Sequence, residues 1–538
     1  MRREERLWQK FGRASVATLL FVGVMSWAGY LYPAATGKGK PKAQAKPAAT
    51  ASVSKQVKID LNKAIDVTLP VLADDLQAGN FKTADGKQGW ALRIPGGRPI
   101  ATPAYADGMI FVGGGYGSHE FYAFDAQTGA LRWQMKTSDD GPSAAVVEDG
   151  LVAFNTESCT LIVVEAKTGK VVWQEWLGDP LMSQPAISKG RVYIAYPSGQ
   201  RGGGGDHQNI IPKANLSQQS AKPLQQNQSA AGLSSKRTRR GGHVLLAADL
   251  RTGRHIWEQE ITADVISAPV VSEDKIYFTC FDGTSFALNA SDGSIVWQKM
   301  NSSTSAPTVA GGQVLMTQKE VSASKSYEGL KRVDAGHGED KHESLLARES
   351  ADYLGENKGG GVAMSQSAQT SLDSSVGFST APVAANLGAA NRHLGVNTVA
   401  GGWAYQGSRA AYSRGQMLNA QGRYLNSINA DDGRFAWRAE VQGKGVEENA
   451  QVFSPPALGD RYMYLSSALG HLLSVRQDDG EMGFLYLLKQ PLVFQPALAE
   501  GNIYVGTSNG MLICLKTGNP DADGWYAWGG NAQHNKSK

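Results

Sequence analysis

The residues best suited to chemistry are few and scattered. Cys159, Cys280 and Cys514 lie far apart, each within an apolar, strand-like run. No Cys-x-x-Cys spacing offers a zinc site, and an odd, sparse count does not build a disulfide framework. Each is expected to be a small buried hydrophobe. His337-Gly-Glu339-Asp340-Lys-His342-Glu343 is a dense run of metal-ligating types. Its polar flanks read as a solvated loop rather than a metal centre. Asp139-Asp140, Asp431-Asp432 and Asp478-Asp479 are paired carboxylates, the residue type that general acid–base work requires. The last two pairs sit in a recurring turn and the first in a polar stretch between repeats, so turn and surface roles fit them better. Gly113-Gly-Gly-Tyr-Gly117 follows one strand and precedes another, which suits a hairpin turn and not a dinucleotide loop. His-Glu-x-x-His does not occur. No catalytic residue and no metal ligand is assigned, and a cofactor-binding set is not readable.

What must position these residues is a repeat. A Pro-Ala or Ala-Pro start leads into an apolar strand, a turn, a second strand, an acidic residue, Thr-Gly or Asp-Gly, and Trp four residues later. The clear copies end Asp125-Ala-Gln-Thr128-Gly129-Ala-Leu-Arg-Trp133, Glu165-Ala-Lys-Thr168-Gly169-Lys-Val-Val-Trp173, Asp249-Leu-Arg-Thr252-Gly253-Arg-His-Ile-Trp257, Asn289-Ala-Ser-Asp292-Gly293-Ser-Ile-Val-Trp297 and Asn429-Ala-Asp-Asp432-Gly433-Arg-Phe-Ala-Trp437. Gly129 and Gly169 lie 40 residues apart, as do Gly253 and Gly293, one four-stranded unit each. A degenerate copy, with strands at Val314 and Leu330–Gly336, lacks the Trp. Another ends Asp479-Gly480 with Phe484 in the Trp position, and the last ends Thr517-Gly518 with no Trp strand directly after it. Gly89-Trp90-Ala-Leu-Arg-Ile stands alone before the first Pro103-Ala104 start and supplies the missing strand. Pairing it with the last three strands closes a ring and removes exposed sheet edges. In each unit Gly takes the positive φ of a tight turn, and the Trp packs on the next unit, worth roughly 2–3 kcal/mol per buried ring. The tryptophans are read as structural staples. The expected fold is all-β, an eight-bladed β-propeller of four-stranded antiparallel blades closed by an N-terminal strand joining the last blade.

Composition agrees: the 538 residues include 63 Gly and 12 Trp, as many short strands, tight turns and large anchors require. Charged residues are 19% and the net charge is +4, too weak and diffuse to imply nucleic acid. Arg2, Arg3, Arg6, Lys10 and Arg13 precede an apolar run at 14–32. Residues 1–33 are therefore expected to be a signal anchor or a signal peptide, with the basic end cytoplasmic and the inner membrane contacted through residues 14–32. Residues 34–87 are a tether and lead-in, the first part Ala-, Lys- and Pro-rich. The propeller is placed at 88–528 and a C-terminal tail at 529–538. Inserts at about 200–242, ending in Lys236-Arg-Thr-Arg-Arg240, and at about 350–402 break the period. Both are expected to leave from the same rim, as tolerated surface insertions or as partner-binding elements.

The motif A-x-D-x-x-T-G-x-x-x-W resembles the tryptophan-docking repeat of the PQQ-like (quinoprotein alcohol dehydrogenase-like) β-propeller family, and this chain resembles its non-enzymatic BamB-type members. The resemblance covers about residues 88–528. It implies one of two functions. The first is a membrane-tethered periplasmic propeller acting as a non-catalytic protein-binding scaffold of the bacterial cell envelope, with envelope protein partners, no cofactor and no nucleic acid. The alternative is a pyrroloquinoline quinone (PQQ)- and calcium-dependent alcohol or sugar dehydrogenase. In those enzymes adjacent cysteines form a disulfide beside the quinone, and a Glu, Asn and Asp set holds calcium. This chain has no adjacent cysteines, and that set is not placed on matching positions.

Overall fold

The fold is built from one turn used repeatedly. In the first copy, Asp125 Oδ1 accepts from the Gln127 amide (3.1 Å), the Thr128 amide (2.8 Å) and the Thr128 hydroxyl (2.7 Å), while the Gly129 amide returns to the Asp125 carbonyl (2.9 Å). Gly129 has φ +71°, a conformation that glycine adopts without steric cost. Asp249 and Thr252 repeat the arrangement, and the Thr252 hydroxyl holds the Asp249 carboxyl below the usual carboxylate range. Just beyond this turn the register between third and fourth strands slips by one residue, at Ala123/Phe124, Val163/Val164, Ala247/Ala248, Ala287/Leu288, Ser427/Ile428 and Ser474/Val475. The bulge re-aims the fourth strand so that its Trp lies opposite a small residue, such as Ala123 opposite Trp133 or Ala247 opposite Trp257.

A computed structural model describes residues 55–157, 159–178, 183–198, 242–322, 325–350, 410–446 and 452–536. They form eight sheets in a ring. Blade 1 spans 104–136, blade 2 146–176, blade 3 186–261, blade 4 270–299, blade 5 308–350, blade 6 410–442, blade 7 457–487 and blade 8 497–516. Blade 8 supplies three strands of its own and takes its fourth, Gln88–Arg93, from before blade 1. This strand pairs antiparallel with Met511–Lys516, Trp90 opposite Cys514. No turn connects these two strands, and their register runs without a bulge. Innermost strands touch in succession from blade 1 to blade 8 and back to blade 1. The eight-bladed propeller closed by the Trp90 strand is therefore present. Among the described residues the helical content is one turn, Leu61–Lys63.

Six of the eight joints carry the same lock. The indole nitrogens of Trp90, Trp133, Trp173, Trp257, Trp297 and Trp437 donate to the carbonyls of Ala126, Ala166, Leu250, Ala290, Ala335 and Gln477 in the next blade, at 2.7–3.1 Å. Each ring covers the turn glycine there: Gly129, Gly169, Gly253, Gly293, Gly338 and Gly480. The Gly338 contact corrects the sequence reading of the fifth unit. Its turn runs Asp334–Gly338, with the Gly338 amide on the Asp334 carbonyl and His337 bonding Asp334 Oδ1 where other copies have Thr. The run at His337 is thus the repeat turn rather than an independent loop, and its end opens the fourth strand, Asp340–Ser350.

Among the described residues, the joints from blade 5 to 6 and from 7 to 8 have no such indole. At the first, the Thr308 hydroxyl donates to the Ala410 carbonyl (2.8 Å), and Arg332 lies within the field of Asp431 and Asp432. At the second, Asp521 accepts from the Arg461 amide (2.5 Å), the Tyr462 amide (3.2 Å) and the Tyr464 hydroxyl (2.8 Å).

From Gln56 onward the lead-in forms strands on outer edges. Gln56–Asp60 runs parallel to the outer strand of blade 6 and Ile65–Asp66 parallel to that of blade 7, while Gly79–Lys82 pairs with Gln88–Arg93 on blade 8. Ile59, Leu61, Val67 and Phe81 are buried in the core shared by these blades, which makes the segment a belt over three consecutive sheet edges.

Every first strand starts on the same face of the ring. That face, here the loop face, carries the blade-to-blade connections and the second-to-third-strand loops; the opposite, turn face carries the tight turns. The stem of the first insert is pinned at the loop face by the Ser198 amide on the Gly242 carbonyl (2.8 Å). The second insert leaves the same face after Ser350 and returns at Ala410. Both inserts, and the segment 14–32, lie outside the described residues. Among the described residues no helix is long and apolar enough to cross a membrane.

Candidate functional site

In a propeller the inner strands leave one edge facing the axis, with main-chain donors aimed into it. Here the chain's own C-terminal segment takes those donors. The amides of Tyr105 in blade 1, Ile187 in blade 3, Val271 in blade 4 and Leu498 in blade 8 donate to the carbonyls of Tyr526, Ala532, Gln533 and Trp525, at 2.7–3.0 Å. The Val309 amide of blade 5 donates to Asn535 Oδ1 (3.1 Å). The segment begins at the turn face, where the Gly501 amide meets the Ala522 carbonyl. It turns back at Trp528, which packs with Ala101, Ala144, Ala268 and Phe494, residues that precede inner strands. His534 stacks on Trp528 with ring centroids 3.6 Å apart and planes 10° from parallel. The Trp528 indole donates to Gln184 Oε1 (3.0 Å), and the Gly529 amide to Gln495 Oε1 (3.0 Å). His534 Nε2 faces the Pro185 carbonyl (2.8 Å) and Nδ1 that of Trp528 (3.1 Å). Burial pushes the imidazole down to about 4, against the pull of those two carbonyls, so it is neutral at ordinary pH.

Just off the axis, on the loop face between blades 1 and 2, lies an acidic cluster. The Tyr116 hydroxyl donates to Glu157 Oε1, the Thr156 hydroxyl to Asp139 Oδ2, and the Glu157 amide to the Asp140 carbonyl (2.9 Å). Burial pushes the Glu157 carboxyl up to about 8; the Tyr116 hydroxyl opposes this and the neighbouring Asp140 and Asp139 add to it. Burial, then Asp139, also raises Asp140. This arrangement holds a proton on Glu157 at neutral pH. Sequence reasoning singled out Asp139 and Asp140 but not Glu157, and met Tyr116 only within the Gly113–Gly117 run; these two arrive from the second-to-third-strand loops of two blades.

The other candidates do not converge. Asp431, Asp432, Asp478 and Asp479 occupy repeat turns on blades 6 and 7, and Asp479 pairs with Arg476 and Lys55. Gly113–Gly117 is the end of a strand and the loop after it in blade 1. Cys159, Cys280 and Cys514 are buried, unbridged thiols in blades 2, 4 and 8; burial raises those of Cys280 and Cys514.

The family profile described as "Outer membrane protein assembly factor BamB" matches residues 75–203 and 213–366, more than half of the chain. The chain belongs to the PQQ-like propeller family. Within this family, the outer membrane protein assembly factors BamB of Burkholderia pseudomallei and Shewanella oneidensis are 26% and 25% identical over 243 and 241 residues, 41% and 39% of this chain. The matches span about three fifths of those relatives, 61% and 59% of their lengths. The quinoprotein alcohol dehydrogenase PedH of Pseudomonas putida is 29% identical over 130 residues, 21% of this chain and 22% of its own length. Among solved structures, the quinohemoprotein alcohol dehydrogenase of Comamonas testosteroni superposes with a TM-score of 0.50 at 13% identity, over 80% of this chain and 76% of that one, a likeness of fold.

The cysteines of this PQQ-like propeller do not match the adjacent pair beside the quinone in the quinone-dependent dehydrogenases. Its three cysteines lie in separate blades, so none can form a disulfide between adjacent residues. Among the described residues no group of three or more His, Cys, Asp or Glu side chains is arranged to hold a metal ion. The axis itself is occupied by Trp528 and His534.

Proposed function

We propose that this PQQ-like propeller is a non-catalytic protein-binding scaffold of the bacterial cell envelope, serving outer membrane protein assembly as its BamB-type relatives are named for. The observation that carries this reading is the division of labour between axis and rim. The axis is filled by the chain's own tail, whereas the loop face is extended. It carries the stems of both inserts and the strands Gln313–Ser322, Lys325–Asp334 and Asp340–Ser350 of blade 5, which are 10, 10 and 11 residues long. A rigid rim of this kind suits protein recognition, which requires on the order of 800 Å² from each partner. The basic residues before the apolar run at 14–32 support a tether in the inner membrane with the propeller in the periplasm.

The test is capture of envelope proteins by the full chain and by a chain lacking residues 203–238. A partner set shared by both assigns binding to the ring; one lost with the deletion assigns it to the insert; no specific partner from either overturns the scaffold. The competing dehydrogenase reading is checked on the same preparation. Saturable, alcohol-dependent dye reduction after adding pyrroloquinoline quinone and calcium would replace the scaffold with an enzyme.

A further inference from the structure

We propose that the axial channel is a peptide-binding site whose resident ligand is the chain's own segment 525–536, docked into a ring that is complete without it. Three observations carry this. First, the ring closes before the segment begins: Met511–Lys516 already pairs with Gln88–Arg93, and Trp90 already docks on blade 1. Second, the segment binds as a peptide ligand binds a receptor. It takes one main-chain donor from each of five inner strands, four on its backbone carbonyls and the fifth on the Asn535 side chain, without joining any sheet as a full strand. Third, the receptor side is built. Gln184 and Gln495 are buried side chains whose amide oxygens meet the Trp528 indole and the Gly529 amide, and Gln495 is itself oriented by donating to the Pro456 carbonyl (2.8 Å). Ala101, Ala144, Ala268 and Phe494 form the apolar socket for the Trp528 ring. The ligand chemistry is thus a short peptide with a Trp as anchor, a Gly in the next position at φ +73° to reverse direction, and a His five residues further on to stack back on the Trp.

Two substitutions in the full-length chain weaken the ligand and leave the ring residues untouched. Trp528→Ala removes the anchor. Gly529→Ala places a Cβ 2.7–2.8 Å from the His534 backbone at a positive φ, so the reversal cannot form as it stands. A fluorescein-labelled peptide of residues 519–536 is titrated into wild-type and variant chains by polarisation, with a Trp528→Ala peptide as control. Amide exchange at Tyr105, Ile187 and Val271 reports whether the native tail has left. The expected result is that both variants keep β-sheet circular dichroism and cooperative melting and lose protection at those amides. They take up the wild-type peptide at least tenfold more tightly than the wild-type chain does, and the control peptide at least tenfold more weakly than the wild-type peptide. Unfolding of both variants would make the tail part of the ring's core and overturn the proposal. So would release of the tail without uptake of peptide, or a tail that stays protected in both variants.

Discussion

The indole of Trp437 is fully buried, donates to the Gln477 carbonyl (2.7 Å) and covers Gly480, so one side chain joins two blades through area and a hydrogen bond together. Trp437→Ala is expected to cost about 3–5 kcal/mol in denaturant unfolding. Gly480→Ala puts a Cβ 2.8 Å from that indole at φ +76° and is expected to cost about 1–3 kcal/mol. The double variant should lose less than the sum, because removing the ring relieves the clash; strict additivity would mean that the two do not form one lock. Glu157 makes a prediction of opposite kind. Its carboxyl titrates near 8 in the folded chain and near 4.5 when unfolded, so between those values the folded state holds a proton that the unfolded state has released. Stability should therefore fall as pH rises through that window, by up to about 1.4 kcal/mol per pH unit. Glu157→Gln keeps the Tyr116 acceptor and removes the titrating group. It should flatten this slope in urea titrations at pH 5 and pH 8; an unchanged slope would acquit Glu157.

Elements were legible where a turn chemistry repeats. Asp-x-x-Thr-Gly followed by Trp marks a third strand, a bulge and a fourth strand at once, so the blades around Trp133, Trp173, Trp257, Trp297 and Trp437 could be read directly. The orphan strand at Trp90 was readable for the same reason, its Trp without a turn matching a turn without its Trp at Gly518. Legibility ended where the pattern loses its markers. The fifth turn hid because His337 replaces Thr and no Trp follows, which moved the apparent turn glycine from Gly338 to Gly336. Gln56–Asp60 and Ile65–Asp66 pair in parallel with strands more than 370 residues away, and no hairpin signals such a contact. Glu157 stands in a plain loop, and its proton is a product of burial. The belt invites its own measurement. Ile59 is buried in the core shared by blades 6 to 8, so Ile59→Ala is expected to cost about 2–4 kcal/mol although it lies outside the ring. A cost below about 0.5 kcal/mol, the size of an ordinary surface change, would detach the belt from the fold's stability.

At the scale of the whole ring, the joints are not equivalent, and a closed ring opens first where its joint is weakest. The four joints from blade 1 through blade 5 each have a docked indole, as do those from blade 8 to 1 and from blade 6 to 7. The joint from blade 7 to 8 lacks one but is bridged by the three bonds to Asp521 and covered by the belt. Among the described residues the joint from blade 5 to 6 has neither; what spans it is the apolar packing of Leu315 and Leu330 on Ala410, Met417, Ile428 and Phe435, the Thr308 bond to Ala410 and the attraction of Arg332 for Asp431 and Asp432. Native-state hydrogen exchange should therefore show blades 5 and 6 opening together below the global unfolding free energy, while blades 2 to 4 exchange only through global unfolding. Because the charges at that joint act partly through solvent, the sub-global opening should grow easier as salt rises toward 1 M, where the screening length shrinks to about 3 Å. Arg332→Met should remove the salt effect while leaving exchange in blades 2 to 4 unchanged. Uniform exchange around the ring, or a first opening between blades joined by a docked Trp, would show that the indole lock does not set the order in which the propeller comes apart.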